Sequence, residues 1–319
     1  MDATVQIREY TNKIYQRVGS LFEEKKPEIT TFRCCLSLTP HQLNFIYLNK
    51  TQEQFEIILT EYIPYTALNE INLLLTSMVQ QHYLHYTPTT WLLSPEDYQL
   101  FLVEALPVKS EEYTDALQWR IRSLINYPPS EAAIDYFKLP AKKGLQENDG
   151  MTAAVAAPTN RLNQIADILN RSGLLLTSID IPELAMRNLT TRYENDEKST
   201  AFIYFFEKVA ILNITREKTL YFTRRMNLAD YQEQSLYEQM SLDILRYFDY
   251  YQSQWRYPTP SRIFIASTHN TEKIKILLSD YLTLAVEQYQ LPPTIIGNSK
   301  LKSLDASSLL LLGKALGQG

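Results

Sequence analysis

Residues 201–223 read AFIYFFEKVAILNITREKTLYFT, and this stretch decides the fold. It holds three runs rich in apolar and β-branched residues, at 201–206, 209–215 and 220–223. The turns between these runs are short, so they predict three consecutive antiparallel strands. A long helix at 230–251, a short apolar strand at 262–267 and another helix are predicted to follow.

The same order of elements occurs once more, nearer the N-terminus. Strand-like runs at 30–38, 43–49 and 55–62 precede an amphipathic helix and a buried strand at 89–93. Three antiparallel strands, a helix, a strand and a helix thus appear twice. This duplication is typical of two ribonuclease-H-like halves, so we predict an α/β, actin-like fold.

The pattern also predicts how the chain is divided. Residues 1–28 repeat apolar positions at helical spacing and form an N-terminal helical extension. Residues 29–193 form the first half, with a small inserted subdomain at about 94–140 that contains a helix at 113–125 and a strand at 132–139. Residues 194–319 form the second half. The extension's charges cancel, which favours a helix docked on protein over a basic membrane-surface helix.

Composition excludes several classes of function. The formal net charge is −5 and the pI is about 5.5, without a basic block, so no nucleic-acid partner is expected. No apolar stretch approaches the roughly 18 residues of a spanning helix, and no secretory signal is recognisable. The two cysteines, Cys34 and Cys35, are adjacent and cannot easily pair. We therefore expect a cytoplasmic protein.

Glycine is scarce, with 8 residues in 319. Actin-like ATPases use glycine-containing turns, because bare backbone amides can then approach the phosphates. The corresponding turns here, at 37–42, 205–208 and 266–270, contain no glycine. We therefore expect no catalytic residues, no cofactor and no ATP turnover. The alternative is a nucleotide-binding actin-like ATPase with a divergent site, in which Glu207 or Lys208 holds an anion.

Three segments resemble the PilM-like pilus proteins. They are residues 116–140, ALQWRIRSLINYPPSEAAIDYFKLP; residues 173–189, GLLLTSIDIPELAMRNL; and residues 220–225, LYFTRR, followed by DILRYFDYY at 243–251. The resemblance covers roughly residues 30–316. It implies an actin-like fold with an inserted subdomain and a cytoplasmic scaffold role at the inner-membrane platform of a pilus machine. PilM relatives bind ATP and hold the cytoplasmic N-terminus of a single-span membrane partner, so the resemblance implies a PilN-like partner. Homo-oligomerisation stays open.

The predicted helix 113–125 offers the best partner surface. Trp119 lies off its apolar stripe of Leu117, Ile121, Leu124 and Ile125. Arg122 lies beside Trp119 on the same face, and Tyr127 begins a rigid turn. Trp and Arg are enriched at interface hot spots, so Trp119, Arg122 and Tyr127 are the predicted partner-binding residues. Alternatively, Trp119 packs under a neighbouring loop.

Two other groups have structural interpretations. Asp180 and Glu183 fit a capping box at the start of a helix better than a catalytic pair. Arg187 and Asn188 then hold the junction between the halves. His82 and His85 share a face of a predicted helix, but no third metal ligand lies near them in the sequence, so surface or packing histidines are expected.

Overall fold

A computed structural model of the chain describes residues 32–50, 55–142, 144, 150–194, 198–292, 295–297 and 306–317. The predicted N-terminal extension, residues 1–28, lies outside the described residues. The described strands, in chain order, are β1 Phe32–Thr39, β2 Gln42–Lys50, β3 Phe55–Pro64, β4 Pro88–Leu92, β5 Gln99–Glu104, β6 Ala132–Lys138, β7 Met151–Pro158, β8 Leu175–Asp180, β9 Thr200–Phe205, β10 Val209–Arg216, β11 Thr219–Asn227, β12 Arg262–Ser267, β13 Ala285–Gln288 and β14 Ile295–Gly297.

The described α-helices are α1 Ile71–Gln81, α2 Tyr113–Ile121, α3 Thr159–Ser172, α4 Pro182–Thr190, α5 Leu236–Trp255, α6 Thr271–Ser279 and α7 Ala306–Leu316. Within the described ranges, no helix is both long and apolar enough to cross a membrane. The long helix of the second half begins at Leu236 and not at residue 230 as predicted, because two 3₁₀ turns precede it. Helix α2 ends at Ile121, four residues before the predicted end.

Two sheets repeat one topology. The first has the order β14-β3-β2-β1-β4-β8, and the second has the order β11-β10-β9-β12-β13. In both, three strands form an antiparallel meander and the first of them pairs in parallel with the next strand along the chain. The predicted actin-like fold of two ribonuclease-H-like halves is confirmed. Strand β14 adds to the first sheet from the C-terminal part of the chain.

A third sheet forms the inserted subdomain, in the order β5-β7-β6. Helix α2 packs on it through a small core that includes Leu117, Ile121, Ala154 and Ala156. The central strand β7 pairs with β6 so that Ala153 lies opposite Phe137. The sheet therefore extends to Pro158, beyond residue 140, the predicted end of the insertion.

Alternate side chains of the first sheet enter two different cores. Cys34 packs with helices α1 and α3, whereas Cys35 packs with α4, α7 and the inner face of the second sheet. The adjacent thiols thus point to opposite faces, as expected. Burial raises the pKa of Cys35 to about 12. The layer of α4 and α7 lies between the two halves and joins them into one apolar core.

Candidate functional site

The three glycine-free turns are occupied by contacts within the chain. Tyr65 donates its backbone N–H to His41 O at 3.0 Å and its hydroxyl to Thr39 O, so the β1–β2 turn is fastened to the first half. After β12, Thr268 N donates to Phe205 O at 3.1 Å. Asn270 Oδ1 accepts from Lys273 N at 2.9 Å and caps α6. The polar groups of these turns therefore serve local structure.

The β9–β10 turn contacts the first half. Lys208 Nζ lies 3.0 Å from Glu96 Oε1, in the loop that follows β4. Both side chains are more than half exposed, so the ion pair contributes little to stability. Its position is informative, because Lys208 is one of the two residues considered as an anion ligand. In this structure its charge faces a carboxylate.

A buried ion pair joins the halves beneath this contact. Glu183 of α4 is fully buried, and Arg225 of β11 donates Nε to Glu183 Oε1 at 2.9 Å. Arg225 Nη2 lies 2.9 Å from the same oxygen. The hydroxyl of Tyr98 donates to Glu183 Oε2. Both carboxylate oxygens of Glu183 are therefore engaged, one by each half.

Arg225 makes further contacts that fix it in place. Its Nη1 donates to the carbonyl oxygens of Pro95 and Tyr98 at 3.0 and 3.3 Å, and its guanidinium lies 4.1 Å from the centre of the Tyr98 ring. Asn213 Nδ2 donates to the backbone oxygen of Glu183 at 2.8 Å. We call Tyr98, Glu183 and Arg225 the junction cluster.

The junction cluster is electrostatically consistent with a charged arginine. Burial alone would lower the pKa of Arg225, but the charge of Glu183 and the contacts with Tyr98 outweigh it, and the pKa rises. Burial, opposed by the charge of Arg225, raises the pKa of the Tyr98 phenol. Tyr98 is therefore a neutral donor and Arg225 a cation at physiological pH.

The capping-box prediction for Asp180 and Glu183 is wrong. The N-cap position of α4 is Ile181, which has no side-chain cap bond. Asp180 accepts from Ile181 N at 2.8 Å and pairs with Lys314 Nζ of α7 at 2.7 Å. Because α4 is buried between the halves, the carboxylates of Asp180 and Glu183 bind residues that are distant in the chain.

Helices α4 and α7 are also joined by a hydrogen bond from a side chain to the backbone. Asn188 Nδ2 donates to Gly313 O at 3.0 Å, and Arg187 Nη2 donates to Asn188 Oδ1 at 3.0 Å. Arg33 Nη1 donates to the carbonyls of Ala315 and Gly317 at 3.0 and 2.7 Å, which satisfies the C-terminal end of α7. Asn188 therefore holds the helix that joins the halves.

Of the predicted partner residues, Trp119 and Arg122 lie together on the surface. Trp119 is 67% exposed, so it does not pack under a loop, and Arg122 Cζ lies 3.5 Å from the centre of its ring. Leu124 is 51% exposed and does not continue the apolar stripe. Tyr127 differs: its ring packs on the subdomain core, and its buried hydroxyl has no hydrogen-bond partner among the described residues. The role of these three residues in binding stays a prediction.

Sequence reasoning missed Tyr98, Arg225 and Lys314. The only local signal was the quoted segment 220–225, which contains Arg225 on strand β11. Their partners lie 85, 42 and more than a hundred residues away along the chain, so no short pattern connects them.

No protein-family model matches this chain, and neither does any curated protein. Solved structures do match. The PilM-PilN type IV pilus biogenesis complex is 13% identical over 91% of this chain and 98% of that chain, with a TM-score of 0.71. The cytoplasmic domain of EpsL, an inner membrane component of the type II secretion system of Vibrio cholerae, is 13% identical over 90% and 96%, with a TM-score of 0.52. The chain therefore has the PilM-like variant of the actin-like fold.

Proposed function

We propose that this chain is a cytoplasmic, non-catalytic scaffold of a type IV pilus assembly platform. In this role it holds the cytoplasmic tail of a single-span, PilN-like inner-membrane protein. Segments 116–140 and 173–189 look most like those of MshI-type proteins, so the proposed machine is the mannose-sensitive haemagglutinin pilus. The likeness in fold to one half of a PilM-PilN complex supports the choice of partner.

The observation that carries the non-catalytic role is the junction cluster. A catalytic cycle in which the two halves move apart would have to break this cluster. Here Glu183 is fully buried between the halves, and Arg225 and Tyr98 engage both of its oxygens. Separating the halves would leave an unpaired carboxylate, which is unfavourable in a buried site. The absence of glycine from the turns at 37–42, 205–208 and 266–270 also favours a non-catalytic role.

The surface of Trp119 and Arg122 supports the partner-binding role. An exposed indole with a guanidinium stacked 3.5 Å above it is a rigid, amphipathic contact. Such residues lose little conformational entropy on binding and are frequent hot spots. An extended tail with apolar and acidic side chains would fit both groups.

Titration of the full chain with a synthetic cytoplasmic tail of the partner encoded beside it tests this proposal. We expect binding by calorimetry, and Trp119→Ala should weaken it by tenfold or more without changing the melting temperature. Tyr281→Ala is the matched control, because Tyr281 is 49% exposed on the second half. Equal affinity of wild type and Trp119→Ala would exclude this surface. Failure of the folded wild type to bind any such tail would exclude the scaffold role.

A further inference from the structure

Two exposed tyrosines adopt a backbone conformation that normally requires glycine. Tyr83 and Tyr86 lie in the loop between α1 and β4 and are 90% and 79% exposed. Their φ angles are 56° and 60°. A side chain makes this left-handed conformation unfavourable, because Cβ approaches the backbone carbonyl. Residues in strained backbone conformations cluster at functional sites, and both of these side chains face solvent.

The local hydrogen bonds show why glycine is usual at both positions. Tyr83 follows the end of α1, where Leu84 N donates back to Val79 O at 2.9 Å, the bond of a Schellman motif. Tyr86 is the third residue of a turn closed by Thr87 N to Leu84 O at 3.1 Å. Since α1 ends at Gln81, the prediction that His82 and His85 share a helix face is wrong.

The loop is held against helix α3. Tyr86 N donates to Gly173 O at 2.7 Å, and Leu175 N donates to Thr87 O at 3.1 Å. A Cβ on Gly173 would lie 2.7 Å from His85 Nδ1, so the loop packs closely on the end of α3. Leu84 is buried and anchors the centre of the loop. The backbone that carries the two solvent-exposed phenol rings is therefore held in place.

The register of the first sheet places the start of β1 beside this loop. Strands β1 and β4 are parallel neighbours, with Cys34 opposite Thr89. Continued two residues back, this register brings Phe32 level with Thr87, which follows Tyr86 and immediately precedes β4. Neighbouring strands lie about 4.8 Å apart. The chain that precedes Phe32 therefore joins the fold next to Tyr86.

We propose that Tyr83 and Tyr86 form the docking surface for this chain's own residues 1–28. That segment repeats apolar side chains at helical spacing, a stripe that favours a protein surface: Ile7, Tyr10, Ile14, Val18 and Leu21. The link from residue 28 to Phe32 spans at most about 14 Å, which keeps the segment near the loop at high effective concentration. Phenol rings offer apolar faces with a hydroxyl at the rim, which suits such a stripe.

Tyrosine nitration of the full-length chain tests the proposal. Ile14→Asp with Val18→Asp puts two charges into the stripe and should increase the nitration rates of Tyr83 and Tyr86 severalfold. Asn12→Asp with Gln16→Asp adds the same charge on the opposite side of the helical pattern and should leave the rates at the wild-type value. Tyr250 and Tyr281 of the second half serve as internal references. Equal rates at Tyr83 and Tyr86 in all three proteins would overturn the proposal.

Photo-cross-linking identifies the occupant directly. With p-benzoylphenylalanine in place of Tyr86, we expect a cross-link to a peptide from residues 1–28 within one chain, independent of protein concentration. A cross-linked dimer whose yield rises with concentration would instead assign the surface to a second copy and overturn the proposal. Absence of any cross-link to residues 1–28 would do the same.

Discussion

Glu183 and Arg225 are 42 residues apart in the chain, yet their side chains meet at 2.9 Å between the two halves of the molecule. Glu183 has no exposed surface, and Arg225 is 22% exposed. Removal of one partner from such a pair leaves a buried charge without compensation. The resulting loss of stability is larger than the net stabilisation that the intact pair contributes. The junction cluster is therefore the most sensitive polar feature between the halves.

We predict that Arg225→Ala lowers the free energy of unfolding by about 3–5 kcal/mol. Urea denaturation of the two proteins would measure the difference. Arg246→Ala is the control, since Arg246 pairs with Asp243 at 2.9 Å but is 74% exposed, and it should cost less than about 1 kcal/mol. Similar losses for the two variants would contradict the importance assigned to the junction.

Local patterns predicted the two antiparallel meanders but not the contacts that join the two halves. The meanders were predictable because their apolar strands and short turns depend on residues that are adjacent in the chain. Helix α7 was not assigned, because its run Leu309–Leu312 is apolar on every side and has no period. Glu183 fitted a capping box because only its neighbours in the chain were considered. Arg225 was missed for the same reason, since its partner lies 42 residues away and is brought close only by folding.

The predicted partner-binding residues were also only partly placed by local spacing. The proximity of Trp119 and Arg122 followed from their i, i+3 spacing, and the structure places them 3.5 Å apart. Tyr127, five residues beyond Arg122, could not be placed this way, because the helix ends at Ile121 and the chain turns. Its ring instead packs on the subdomain core.

A second prediction concerns Gly313, at the crossing of α4 and α7. A Cβ at this position would lie 2.5 Å from Ala185 O and 2.8 Å from Leu189 Cγ. Helix propensity alone would make Gly313→Ala stabilising by about 1 kcal/mol. Overpacking against a backbone oxygen costs about 1–3 kcal/mol, so we expect a net loss of stability.

Thermal and urea unfolding would show whether Gly313→Ala lowers or raises the free energy of unfolding. Ser307→Ala in the same helix is the control, because Ser307 is half-buried and its replacement should change stability by less than about 0.5 kcal/mol. A more stable Gly313→Ala protein would mean that the two helices are not in close contact.

Asp135 gives a prediction about pH. Burial, with a smaller contribution from the charge of Asp180, raises its pKa to about 6, against a backbone hydrogen bond from Tyr136 N that lowers it. The folded state then binds more protons than the unfolded state between the unfolded pKa, about 3.9, and pH 6. Stability contributed by this group therefore falls as the pH rises through that window.

We expect Asp135→Asn to be more stable than the wild type at pH 7.5, by about 1–2 kcal/mol, with no difference near pH 3.5. Urea denaturation at a series of pH values would show the two curves separating above pH 4. Asp249→Asn, at an exposed position of α5, should show no such divergence. A constant difference at all pH values would indicate a packing effect of the amide and not a titration.

The last prediction concerns nucleotide. A ligand at 100 times its dissociation constant stabilises a fold by about 2.7 kcal/mol, which for a chain of this size raises the melting temperature by several degrees. Because the junction cluster ties the two halves together and the three turns lack glycine, we expect millimolar Mg-ATP to give no shift beyond that of Mg-tripolyphosphate. A larger shift with Mg-ATP, lost in Lys208→Ala, would instead establish a divergent nucleotide site and favour the ATPase alternative. A shift that appears only in Arg225→Ala would mean that the ion pair itself keeps nucleotide out.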